Sequence, residues 1–123
     1  MSAQNAPERF LSWRFEDEDE AEILTHEKDT KMPNASLIVL HKEDHTLGNT
    51  IRMQLLRDVR VRFAGYRMPH PTINECHIKL QTMEAGQAPL SVFDDCLEDL
   101  GEEVQRIKIG FDNACRAYEQ SGR

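Results

Sequence analysis

Apolar and polar residues follow three rhythms along this chain, and each rhythm predicts a different element. In "ASLIVLHK" (Ala35–Lys42) aliphatic residues run almost without interruption, which predicts a strand buried on both faces. A two-residue alternation appears twice. In "VRVRFAGYRM" (Val59–Met68) it sets Val59, Val61 and Phe63 against Arg60, Arg62 and Ala64. In "CHIKLQTM" (Cys76–Met83) it sets Cys76, Ile78, Leu80 and Thr82 against His77, Lys79, Gln81 and Met83. Both predict half-buried strands. Ile23–Lys31 reads as a weak edge strand, Pro33-Asn34 as a turn, and "PHPTINE" as a turn whose prolines lack the N–H a ladder needs.

The third rhythm is helical. Between the first two strong strands Leu47, Ile51 and Leu55 recur every four residues, with Met53 and Leu56 widening the stripe, and predict a helix over His45–Arg57. After the loop "EAGQA", Pro89 suits a first helical turn. Leu90, Phe93, Leu97, Leu100, Val104, Ile107, Phe111, Ala114 and Tyr118 then alternate in steps of three and four, a heptad seam. Gly101 and Gly110 each cost about 1 kcal/mol against Ala inside a helix, yet the phase runs through both.

A helix from Pro89 to Tyr118 is roughly 45 Å long at 1.5 Å per residue. A domain of this size has a radius of gyration near ~14 Å. Its own small sheet is too short to cover the seam, and a 3.5-residue period favours a facing helix. The seam therefore predicts a protein–protein contact built from helices.

Composition narrows the picture. A chain of 123 residues suits one compact domain, and its net charge of −7 argues against binding nucleic acid through total charge. The acids are concentrated in "EDEDEAE" (Glu16–Glu22), read as a solvated loop, whereas Arg52–Arg67 holds five arginines and one acid. Those arginines lack interleaved aromatic platforms and read as salt-bridge partners within or between subunits. Residues 1–21 form an irregular acidic lead-in, although Phe10, Leu11, Trp13 and Phe15 are apolar enough for part of it to pack down. Residues 22–118 are the domain, and 119–123 a tail. Cys76, Cys96 and Cys115 are an odd set without CxxC spacing, read as reduced intracellular thiols. No apolar run approaches the roughly 20 residues of a membrane span, and no signal-peptide core is present.

Chemistry finds few candidates. Asp44, His45 and Thr46 place acid, imidazole and hydroxyl side by side, but consecutive residues do not converge on one point as a catalytic set must. Asp44 or Thr46 instead suits the cap of the helix that follows, and an acid there complements its dipole. His70, Cys76 and His77 lack a fourth ligand at finger-like spacing. Glycine-rich phosphate loops, GxSxG and HExxH are missing from the sequence.

"NASLIVLHKEDHTLGNTIRMQLL", then "VRFAGYRMPHP", "IKLQT" and a long C-terminal helix, resemble the small alpha-like subunits of nuclear RNA polymerases. That family includes archaeal subunit L and shares "HTLGN" in form with the dimerising domain of bacterial alpha. The resemblance covers Lys31 to about Tyr118. It implies an α+β fold, a small antiparallel sheet with two helices on one face. It implies a non-catalytic assembly subunit in the nucleus that heterodimerises with a larger alpha-like subunit. The pair would form the platform for the two large catalytic subunits, with core subunits including the second-largest as further partners. No cofactor, metal, membrane or sequence-specific nucleic-acid contact is implied. Carried onto this sequence, Leu47, Ile51 and Leu55 and the seam from Leu90 to Phe111 become the partner interface. Ala64 and "KDTKMPNA" resemble the RNA polymerase II branch. The branch shared by polymerases I and III, which usually has cysteine at the position of Ala64 and better suits an acidic extension, is the alternative.

Overall fold

A computed structural model describes residues 12–15, 22–83 and 87–122. The element order is β1 (Leu24–Lys28), β2 (Ala35–His41), α1 (His45–Leu56), β3 (Val61–Arg67), β4 (Glu75–Thr82) and α2 (Pro89–Gln120). The four strands form one antiparallel sheet in the order β1-β2-β4-β3. Among the described residues no helix is long and apolar enough to cross a membrane.

Local chemistry sets the boundaries. Asp29 Oδ1 accepts the N–H groups of Lys31 and Met32 at 2.8 and 3.3 Å, which turns the chain after β1. Asn34 completes the turn in the left-handed region at φ 56°, a conformation asparagine tolerates. Lys42, at φ 62°, ends β2 and donates its N–H to the Asn74 carbonyl at 2.7 Å.

The registers put Ile38 opposite Ile78 and Leu40 opposite Cys76, so one sheet face is continuously apolar. Both helices pack against it. Ile51 and Leu55 of α1 and Val92, Phe93 and Cys96 of α2 join Ile38, Leu40, Ala64, Cys76, Ile78 and Leu80 in a single core. Thr82, also buried, donates its hydroxyl to the Gln87 carbonyl at 2.6 Å and ties β4 to the start of α2.

The alternation expected in β3 needs correction. Register slips between Val61 and Phe63 at a β-bulge, and the extra residue reverses the facing of everything after it. Val61, Ala64 and Tyr66 pack toward the core, whereas Phe63 is 50% exposed on the other sheet face. Val59 precedes the strand and is exposed.

Of the lead-in, Phe15 is half-buried, Trp13 is exposed, and Asn74 Nδ2 donates to the Ser12 carbonyl at 3.0 Å. Phe10, Leu11 and the acidic run up to Ala21 lie outside the described residues.

Candidate partner interface

The "HTLGN" pentad organises the entry to α1. Asp44 is the N-cap, its Oδ1 accepting the Thr46 N–H at 2.9 Å. That bond, more than any other contact, holds the Asp44 carboxyl below the usual carboxylate range. Thr46 is therefore the capped residue and not the cap. His45 Nδ1 lies 2.9 Å from the Tyr66 hydroxyl, with the two rings edge to face. A Cβ on Gly48 would lie 2.6 Å from Cys76 Sγ and 2.7 Å from Tyr66 Cδ2. Glycine is needed here because α1 lies directly on the sheet. Asn49 Oδ1 accepts from Arg52 Nη2 at 2.7 Å. The ionisable groups of this stretch are thus engaged in starting and seating a helix.

The remaining chemical candidates are scattered. Cys76 faces the core, while His77 on the opposite sheet face places Nε2 3.1 Å from Glu75 Oε2. His70 Nδ1 accepts the Thr72 N–H at 3.1 Å. Burial pushes the Cys96 thiol up to about 11 and raises that of Cys76.

The arginines divide. Arg60 reaches Asp58 at 2.7 Å and Asp95 at 2.9 Å, anchoring the start of β3 to α2. Its side-chain hydrogen bond holds the Asp58 carboxyl below the usual range. Arg57 reaches Glu103 at 3.3 Å, while Arg62 and Arg67 form no ion pair among the described residues.

The helices carry the exposed apolar surface. The 32 residues of α2 span about 48 Å at 1.5 Å each. Its first three turns lie on the sheet. Beyond Leu100 every described residue except half-buried Glu103 is exposed. Along this projecting arm Val104, Ile107, Phe111 and Tyr118 are 64%, 72%, 68% and 62% exposed. Leu90 and Leu97 are each 38% exposed, and Leu47 and Leu100 lie partly buried at the edge of the core. Between the helices runs a groove of about 430 Å³, lined by Met53, Leu56 and Leu100 with Arg57 and Glu103 at its rim.

Three expected partner contacts are corrected by this packing. Ile51 and Leu55 have 0% exposure and Phe93 has 1%, so they offer a partner no surface. The reason is geometric: each helix must first cover its own sheet, and these residues point into it. Val92 and Cys96, outside the heptad seam, share that inward face. Met53 and Leu56, 55% and 52% exposed, continue the apolar surface onto α1. Their place in the stripe was visible; their outward orientation was not, because a four-residue stripe does not say which edge meets the sheet.

An antiparallel sheet backed by two helices that leave an apolar face bare defines a class, the helix-presenting interaction module. Comparison with known proteins makes the class specific. Residues 35–109 match the family described as the RNA polymerase Rpb3/Rpb11 dimerisation domain, and the chain belongs to that family. A Dictyostelium discoideum relative, named DNA-directed RNA polymerase II subunit rpb11, is 44% identical over 107 residues, 87% of each chain. A Caenorhabditis briggsae relative, named a probable DNA-directed RNA polymerase II subunit RPB11, is 39% identical over 117 residues, 95% of this chain and 93% of its own. A crystal structure of DNA-directed RNA polymerase subunit L from Thermoplasma acidophilum shares the fold, with TM-score 0.64 and 22% identity, over 79% of this chain and 94% of that one.

Proposed function

We propose that this chain is a non-catalytic assembly subunit of nuclear DNA-dependent RNA polymerase II. Its exposed helical face pairs with the larger alpha-like subunit, and the pair is the platform on which the two large catalytic subunits assemble. The observation that carries this reading is the apolar arm of α2 in a chain belonging to a dimerisation family. Relatives named as polymerase II subunits cover nearly the whole chain, which favours polymerase II over the branch shared by polymerases I and III. The side chains that resembled catalytic parts are spent on capping and packing, so catalysis belongs to other subunits.

On this reading, assembly uses the apolar surface that the two helices leave exposed. Val104, Ile107 and Phe111 on the arm, with Leu97, Leu100, Met53 and Leu56 at its base, provide a seam and a groove for the partner's helices. Burying one such side chain contributes about 1.5–3 kcal/mol, and a few central residues dominate such interfaces.

Co-expression with the larger alpha-like subunit should yield a 1:1 complex. Val104→Asp should abolish it while leaving the chain's circular dichroism unchanged, because Val104 lies outside the core. Full binding by Val104→Asp and Leu97→Asp together would overturn the assignment of this face.

A further inference from the structure

The sheet face opposite the helices carries an open depression of about 620 Å³ that the pairing proposed above leaves free. Its floor is apolar, formed by half-buried Leu37 and by Phe63, which the β3 bulge turns outward. Gly65 permits this placement, since a Cβ there would meet the Phe63 ring at 3.1 Å. Lys31, Arg67 and Lys79 line the depression against Glu27 and Asp29, a local excess of positive charge in a chain of net −7. Lys28 touches its edge but pairs with core-facing Ser36, so its side chain belongs to the other face. Asp29 is already bound to Lys79 at 3.2 Å. Among the described residues Lys31 and Arg67 hold no ion pair.

We propose that this outer sheet face docks a short acidic segment of a partner polypeptide, its apolar side chain on Phe63 and Leu37 and its carboxylates on Lys31 and Arg67. Charge complementarity selects an acidic partner, and the apolar floor requires a residue that a phosphate backbone lacks. Glu27 and the single exposed aromatic disfavour nucleic acid, which needs uninterrupted cations and stacking platforms. A peptide can place neutral residues opposite Glu27.

The test uses the full-length chain, alone and co-purified with its larger partner. The probe is a fluorescein-labelled ten-residue peptide of Glu and Asp around a central Leu-Phe, followed by anisotropy. Binding should persist in the complex. It should weaken about tenfold or more when the peptide's acids become Gln and Asn, and about fivefold or more in Arg67→Glu or Phe63→Ser. Val104→Asp should bind the peptide normally, which separates this face from the helical interface. Retained heterodimer formation by Arg67→Glu and Phe63→Ser reports that they fold. Unchanged affinity in both variants overturns the proposal. So does equal binding of a single-stranded oligothymidine of the same length. If neutralising the acids between Glu16 and Glu20 raises peptide affinity about tenfold, the occupant is this chain's own acidic run, and the partner proposal fails.

Discussion

Asp44 has one carboxylate oxygen on the Thr46 amide and stands outside the first turn of α1. Asp44→Ala should cost about 1 kcal/mol at neutral pH, and Asp44→Asn little, since Asn also caps. The pH dependence follows from the depressed folded-state pKa. On acidification the unfolded chain takes up this proton first, so the cap's contribution is full above the unfolded value of about 4 and is lost as pH falls through the folded one. Urea titrations at neutral pH and near pH ~3 should therefore show the gap between wild type and Asp44→Ala closing in acid. A gap that persists unchanged would deny the carboxylate its role. The neighbouring Gly48 was visible as part of a motif, but its reason was not. Cys76 and Tyr66, the atoms a Cβ would strike, come from two different strands.

At the scale of the element, α2 changes its role along its length. Val92, Phe93 and Cys96 face the sheet, whereas Leu97, Val104 and Phe111 face outward. Cys115 lies on the exposed arm, one residue after the seam's Ala114, while Cys76 and Cys96 are buried. A thiol reagent at about pH 8 should modify Cys115 rapidly and the other two only on unfolding, because the thiolate is the reactive form and burial disfavours it. Adding the larger alpha-like subunit should slow Cys115 modification about tenfold or more. Equal rates with and without that partner would place the interface elsewhere on the helix. The heptad spacing made this helix legible through both glycines, whose would-be Cβ positions meet nothing within 4 Å. The outward turn of Phe63 was illegible, since a bulge arises from how two strands pair.

For the whole molecule, the core ends before the arm begins. Removing residues 106–123 deletes no core side chain and spares the Arg57–Glu103 pair. The truncated chain should thus keep its fold and lose at most about 1 kcal/mol of stability, yet fail to form the heterodimer. Denaturation midpoints and size-exclusion chromatography check both halves; pairing at full strength by the truncated chain would dismiss the arm. What the sequence by itself determined was the set of elements, the helix start at Asp44–His45 and an apolar seam along α2 longer than the sheet can cover. Each rests on contacts a few residues apart or on a period that repeats along one element. The tertiary structure alone decided which apolar residues serve the core and which stay exposed on the helices. Ile51, Leu55 and Phe93 belong to the first set, and Met53, Leu56 and Val104 to the second. A residue's period places it on a helix face, but whether that face is inside depends on where the sheet lies and where it ends.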